Sequence, residues 1–600
     1  MPKPAEQETP VGTVYAERLA ARRAEAERLA ARERLFSIIR LIVIAIVILT
    51  IWLAGWWSLL PLAAFIVLVV MHDRVIQAKQ RAENAMRFHD RGLARVEDRW
   101  AGTGAAGDEF KDDRHPYAVD LDLFGAGSVF ELMCIASTQA GRARLAQWLK
   151  EPSDAPAEIV SRQQAVAELR DRLDLREDLA IRAAEVSREI ESARLGEWGA
   201  QPPLLMGGRW AVLLAAAVAS ALFVITMPLL LVKPAGLTLP WSFPTWPFFL
   251  ALIVASAVAG RFRARVQQVI AAVERAEPAL ALLARLTERL EREPFATNRL
   301  LALRARLVRD GRPASEQIER LRRLVGLLDA RRNQFFAPLA AVMLWTTNFA
   351  FSIERWRRKS GREIASWIDA VGELEALSSL ASFAYEHPTF CVPEIVADAS
   401  ALEATALAHP LIPAARRVAN DLRLGRDQRL LVISGSNMSG KSTMLRSTGL
   451  AAVLAMAGAN VCAERLRIAP IRVGASIQLH DSLAEGASRF YAEILRIRQI
   501  LDLAKEGTPL LFLLDEILHG TNSHDRRIGA EGIVKSLLAR GAVGLVSTHD
   551  LALAAIEGAT NVHFEDHMEG DRMVFDYRMR AGVVTRSNAL ALMRAVGIEV

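Results

Sequence analysis

Cysteine is almost missing from this chain: Cys134, Cys391 and Cys462 are the only three in 600 residues. They are far apart and show neither CxxC nor Cys/His spacing, which argues against a disulfide framework and a zinc site and fits a reducing cytoplasm. Nor is a cleavable secretory leader expected. The first 35 residues are charged and helix-prone and never offer a short apolar region followed by a small-residue cleavage site. Charge, in turn, is lacking from four long apolar stretches, which excludes them as exposed helices of a soluble protein.

Hydrophobic residues make up 52% of the chain and the mean hydropathy is +0.18, although 24% of residues are charged, so the apolar excess must be concentrated in blocks. A length of 600 residues exceeds what one core sustains, and several units are expected. The net charge of +6 and pI near 9.4 suit an anionic partner such as nucleic acid or an anionic lipid surface. Arginines flanking membrane spans on the cytoplasmic side account for part of the same excess.

Residues 1–35 carry the repeat Ala-Glu-Arg-Leu-Ala-Ala-Arg from Ala16 and again from Ala26, which predicts a charged helix. From Leu41 to Met71 the chain is almost wholly apolar, interrupted by Gly55, Trp56, Trp57, Ser58 and Pro61. One helix of that length would run roughly 46 Å, against a hydrocarbon core of about 30 Å, so residues 36–72 read as a transmembrane hairpin. A second hairpin is expected over 206–262, from Trp210 to Val232 and again from about Phe243 to Gly260. Arg32, Arg34 and Arg40 precede the first hairpin and Arg74, Lys79 and Arg81 follow it, while Arg209 and Arg261, Arg263 and Arg265 bracket the second. The positive-inside rule then puts every end in the cytoplasm, giving a multi-pass protein of the cytoplasmic (inner) membrane. Residues 335–351 are apolar too, but Asn333, Gln334, Asn348, Glu354 and Arg355 point to an amphipathic or core helix instead of a fifth span.

Residues 73–118 read as a cytoplasmic linker, and 119–205 and 263–390 as helical regions with apolar residues at three- and four-residue spacing. From about Leu430 short apolar strands alternate with helices, the pattern of a parallel sheet with crossover helices. Leu430 to Ser434 leads into Gly435-Ser436-Asn437-Met438-Ser439-Gly440-Lys441-Ser442-Thr443, a GxxxxGK[ST] loop between a strand and a helix. Such a loop turns backbone amides toward phosphates at a helix N-terminus; Lys441 would reach the β and γ phosphates of ATP and Ser442 would give Mg²⁺ a hydroxyl ligand. A second apolar strand ends in Asp515 and Glu516, placing one carboxylate to hold Mg²⁺ and the next to act as general base on water. A third strand ends at Thr548-His549, a histidine positioned to sense the γ-phosphate.

The Asn437-Met438 pair resembles the phosphate loop of the MutS mismatch-repair ATPases, which usually carry proline where this chain has Ser436. Glu485-Gly-Ala-Ser488-Arg-Phe490-Tyr-Ala-Glu493 and Leu514-Asp-Glu-Ile-Leu-His-Gly520-Thr521-Asn522-Ser523 are similar to two further MutS segments, and 574–598 to the closing one. His409-Pro410 and Asn420-Asp421 give a weaker echo, and Leu121 to Leu132 with Gly141 to Leu149 looks like the opening of the MutS helical core. The resemblance implies an α/β P-loop ATPase domain over 391–600, a MutS-like core at 119–205 and lever helices at 263–390. It also implies Ser488 reaching a partner's nucleotide across a homodimer formed through the ATPase domains, and DNA as a partner, with no metal besides Mg²⁺. Where the family usually carries a mismatch-reading domain with a Phe-x-Glu wedge, this sequence reads as the charged helix and membrane hairpin, so direct mismatch reading is not expected. Three functions compete: a membrane-tethered ATPase acting on mismatched or structured DNA in a repair-related role, an ATP-driven transporter, and an ATP-binding membrane scaffold. Against transport stand the lack of an LSGGQ-type signature and of charge inside the spans.

Overall fold

The computed structural model describes residues 10–184, 192–232, 246–397, 402–436, 438–477, 489–505, 509–518, 521–549, 553–569 and 572–583. The charged repeat and the first apolar run form one continuous helix, α1 (Pro10–Ala54), because alanine, arginine, glutamate and leucine favour helix throughout. A single turn at Gly55–Ser58 reverses the chain into α2 (Leu59–Val96), and the two helices pack along each other. The first part of the segment after the apolar run, residues 73–96, is thus a direct continuation of α2.

Short helices α3 (Val129–Met133), α4 (Gln139–Lys150), α5 (Pro156–Arg170), α6 (Leu173–Ala184) and α7 (Ser192–Ala200) follow. Then come the apolar α8 (Arg209–Val232) and α9 (Trp246–Glu291), which pair as the second hairpin. After α10 (Asn298–Arg306), a two-residue ribbon of β1 (Val308–Arg309) and β2 (Arg312–Pro313) turns into α11 (Ala314–Asp329), α12 (Ala337–Val342), α13 (Trp345–Ser360) and α14 (Glu363–Glu386). The apolar 335–351 stretch is therefore split between α12 and α13.

Four helices, α1, α2, α8 and α9, are long and apolar enough to cross a membrane. Only 6% of the most apolar window of α1, and the same share of α2, is buried, and Trp52 and Trp210 are 87% and 84% exposed. At about 25 cal/mol per Å² such a surface is costly in water and suits hydrocarbon.

α14 is the opposite case, an apolar helix with nearly every residue buried among α4, α5, α7 and α10. Its buried carboxylates bind the layers together. Glu375 accepts from the backbone N–H of Ser137 and Thr138 ahead of α4, at 3.1 and 3.3 Å. Glu373 meets Arg299 at 2.5 Å and Arg306 at 2.6 Å. Glu386 takes both arms of Arg95 at 2.7 Å, with the Tyr15 hydroxyl at 3.0 Å. Those last contacts clamp α1 and α2 onto the end of α14, from which the chain enters the β-rich part.

The strands begin earlier than the sequence pattern placed them. β3 (Glu394–Ile395), β4 (Leu402–Leu407) and β5 (Asn420–Leu424) precede β6 (Leu430–Ser434). Beyond β6 come α15 (Lys441–Ala457), β7 (Arg465–Ile468), β8 (Arg472–Ser476), α16 (Arg489–Leu503), β9 (Leu510–Asp515), α17 (Ser523–Ala539), β10 (Val543–Ser547), β11 (Ala559–Glu569) and β12 (Arg572–Ala581). The main sheet has the order β12-β11-β6-β10-β9-β8, parallel except for the β11/β12 pair. A smaller sheet, β3-β7-β4-β5, is mostly antiparallel and closes one side of the main one. The central strands are buried along their length, as strands covered on both faces must be.

Candidate functional site

β6 is five buried apolar or small residues, and its end delivers the chain into a loop that only glycine can turn. Gly435 has φ +144° and Gly440 φ +112°. A Cβ on Gly435 would lie 2.8 Å from the Phe564 carbonyl oxygen and 2.9 Å from Ser439 Oγ, so the loop needs glycine for space as well. α15 then opens at Lys441, pointing its first amides back at the loop. Ser442 is half-buried and Thr443 exposed in that first turn. Met438 is 83% exposed with φ +68°. Asn437 and Ser488 lie outside the described residues.

The register of the sheet puts the other site residues beside this loop. Ser547 stands opposite Asp515 across β10/β9 and opposite Ile433 across β10/β6, so the three strand tips end together. Ser547 donates its hydroxyl to Asp515 Oδ1. Glu516 follows with φ +44°, and Leu518 has φ +62°. Left-handed conformations at non-glycine residues cost energy and cluster where a side chain must be aimed. Here the turn aims Glu516 at Lys441, 3.3 Å away, and at His549 Nε2, 2.6 Å away. Lys441 Nζ also donates to the carbonyls of Gly435 at 2.9 Å and Ser436 at 3.1 Å. Burial pulls the Lys441 ammonium below the usual lysine range, and the Glu516 carboxylate works in the opposite direction. The structure thus brings Gly435, Ser436, Lys441, Asp515, Glu516 and His549 to one end of the sheet.

A cavity of about 580 Å³ opens against this loop, lined on one side by Ser436, Lys441, Ser442 and Glu516. Opposite, the β4–β5 connection and the β11/β12 pair supply apolar Ile412, Val418, Phe564 and Tyr577 beside polar His409, Arg416 and Asn420. The volume suits a nucleotide-sized ligand with a flat apolar part. Ser436 Oγ and Ser439 Oγ are buried without a partner among the described residues, as is His409 Nε2 on the cavity wall. Residues 431–599 match the family model for MutS domain V. That domain is the P-loop ATPase of the MutS family, and the parallel sheet, the loop and the paired acidic strand tip agree with it.

Two residues carried only by the MutS resemblance, with no role of their own there, shape the site. Glu493, 3% exposed, accepts from the backbone N–H of Leu518 at 2.6 Å and so fixes the turn that carries Glu516. Asn420 bridges β5 to β12, donating to the Tyr577 carbonyl at 3.0 Å and accepting from Met579 N–H at 2.7 Å. The weak Asn420-Asp421 and His409-Pro410 echoes, and the likeness of 574–598 with its Tyr577 to the closing MutS segment, were the sequence signals for the far wall. Phe564 gave none.

Proposed function

We propose that the chain is a membrane-anchored, MutS-type ATPase that binds Mg-ATP and hydrolyses it as a homodimer. The observation that carries this reading is the Lys441–Glu516–His549 contact at the mouth of the glycine loop. A lysine and a strand-tip carboxylate in contact beside a glycine loop set a cation for phosphate next to a base for water. The amides of residues 435–443 and Lys441 would grip the phosphates. Ser442 and Asp515 would hold Mg²⁺, which supplies charge neutralisation there, while Ser547 orients Asp515. Glu516 would take a proton from the attacking water on Oε1, with His549 hydrogen-bonded to the same carboxylate. The Ser436 hydroxyl, which lines the cavity and has no partner among the described residues, supports the fit, since it would gain one from a bound anion.

Dimerisation is supported by exposed apolar residues around the same end of the sheet. Met438 on the loop, Tyr491, Ile494 and Leu495 on the first turns of α16, and Ile528 on α17 are all at least 40% exposed. Ser488, which precedes α16 in sequence, would complete the partner's site. The spans anchor the protein, with the ATPase domain in the cytoplasm, and the helical arms act on mismatched or structured DNA. The test is phosphate release by the full chain in detergent, with and without Glu516→Ala, together with anisotropy on homoduplex, mismatched and branched DNA at two salt concentrations. Phosphate contacts predict DNA affinity that falls steeply with salt; no binding at low salt removes the DNA part and leaves the ATPase part standing.

A further inference from the structure

A second cavity, of about 410 Å³, shares no lining residue with the one at the glycine loop. It lies where α2, α6, the 100–105 segment and the α3–α4 connection meet. Arg87, Arg91 and Arg95 line it from α2, each four residues after the last and therefore on one helical face. Arg142 lines it from α4.

These charges are unequally balanced. Arg95 is held by Glu386, and Arg142 meets Glu109 at 3.3 Å. Arg87 and Arg91 are exposed and form no ion pair with a carboxylate of the described residues; Arg87 donates only to the amide oxygen of Asn84, at 2.5 Å. Like charges at this spacing on a helix repel each other unless an anion lies between them. Asn84 is 4% exposed, lines the cavity, and leaves its Nδ2 donor without a partner among the described residues. Glu131, the acidic residue of the lining, is already committed to the backbone N–H groups of Gly104 at 2.8 Å and Gly127 at 2.7 Å. Burial pushes the Cys134 thiol up to about 12, so it adds no negative charge. Phe88, Trp100, Ile135 and Ala180 supply an apolar wall.

We propose that this cavity binds a small soluble phosphate ester, its phosphate between Arg87, Arg91 and the Asn84 amide and its carbon portion against Phe88 and Trp100. Guanidinium forks match phosphate oxygens in pairs, and two unbalanced arginines suit a dianion. A lipid headgroup has the same chemistry but the wrong place. Met71 ends the apolar run of α2 and Arg87 follows 16 residues later, about 24 Å along a helix rising ~1.5 Å per residue, whereas headgroups add only roughly 5–8 Å per side to the hydrocarbon core.

The test uses the full chain in nanodiscs with the glycine-loop site saturated by a non-hydrolysable Mg-ATP analogue. Calorimetric titration with phenyl phosphate, inorganic phosphate and dihexanoyl phosphatidic acid separates the sources. Saturable binding of phenyl phosphate, tighter than inorganic phosphate, is expected. Arg91→Ala should weaken it about tenfold or more, the worth of one charge-assisted hydrogen bond, and Arg292→Ala, at an exposed arginine elsewhere, should leave it unchanged. Should Arg91→Ala unfold, Arg87→Ala carries the same expectation. Uptake of none of the probes, equal affinity in the arginine variants, or a clear preference for phosphatidic acid overturns the proposal. Labelled ATP binding without the analogue, measured in parallel, reads the nucleotide site separately, so either site can fail without the other.

Discussion

Replacing Glu386 with alanine should loosen the junction between the N-terminal hairpin and the rest of the molecule. Its carboxylate sits at the end of α14, side chain 1% exposed, and receives Arg95 Nε and Nη2 at 2.7 Å each, Tyr15 Oη at 3.0 Å and Ser382 Oγ at 3.0 Å. Burial pushes this carboxyl up, and the Arg95 guanidinium with its hydrogen bonds outweighs burial and holds it below the ordinary glutamate range. Removing it strands a guanidinium whose side chain is 8% exposed. Breaking one side of such a pair costs about 3–5 kcal/mol. The Tyr15 and Ser382 hydroxyls lose an acceptor as well, but they share one network and their losses do not add. Set against a typical domain stability of roughly 5–15 kcal/mol, the change is large. Hydrogen exchange of α14 and the first turns of α1 in the full chain reads it as a lower local opening free energy. Replacing the pair together, Arg95→Met with Glu386→Leu, should recover most of the loss because no charge is left buried. A change below about 0.5 kcal/mol in the single variant, or a double variant no better than the single, refutes the reasoning. The pH dependence has a definite sign. A carboxyl held below its unfolded value stabilises fully above about pH 4.5, and that contribution fades as pH falls through its depressed folded value.

Glu516→Gln should lower phosphate release by roughly 10²–10⁴-fold while labelled ATP still binds, as removal of a general base does; near-normal turnover would remove Glu516 from that role. Gly544→Ala should destabilise the ATPase domain by about 1–3 kcal/mol, because its Cβ would fall 2.3 Å from the Phe512 carbonyl oxygen in the neighbouring strand; an unchanged thermal midpoint contradicts that packing. His115 accepts the Ala118 N–H on Nδ1 at 3.2 Å and contacts the Lys150 carbonyl through Nε2 at 3.1 Å, so its neutral form is fully satisfied. Burial above all, opposed by the hydrogen bond to the Lys150 carbonyl, holds its pKa down to about 4. Its stabilisation is therefore complete above about pH 6.5 and is lost at up to ~1.4 kcal/mol per unit as pH falls toward 4. His115→Gln should flatten that slope in pH-dependent denaturation, and an unaltered slope would assign it to other groups.

The glycine loop and the four long apolar helices were legible in the sequence because each is a local matter. Strand, turn, lysine and helix N-terminus of the loop follow one another within fourteen residues, 430–443, and a span declares itself by composition averaged over about twenty residues. Much else depended on distant partners. β3, β4 and β5 are two to six residues long and form a sheet only because β7, which arrives after α15, pairs with β3 on one side and β4 on the other, with β5 added on β4. α14 looks from its sequence like an amphipathic lever, yet it is enclosed, and its glutamates are tolerated inside because arginines from α2 and α10 and amides ahead of α4 meet them. Residues 113–120, read as linker and the opening of the helical core, dock on the sheet edge: the Ala475 N–H donates to the Pro116 carbonyl at 2.9 Å and the Ile477 N–H to Asp120 at 2.6 Å.

By itself, then, the sequence determined which residues form the glycine loop between strand and helix, which strand ends in paired carboxylates and which helices are long and apolar enough to cross a membrane. Tertiary structure alone decided how Glu516 meets Lys441 and His549, what walls the cavity opposite the loop, and which arginines share a second cavity. The physical reason is range: backbone turns and hydrophobicity act between chain neighbours, whereas strand register and the pairing of buried charges join residues hundreds of positions apart.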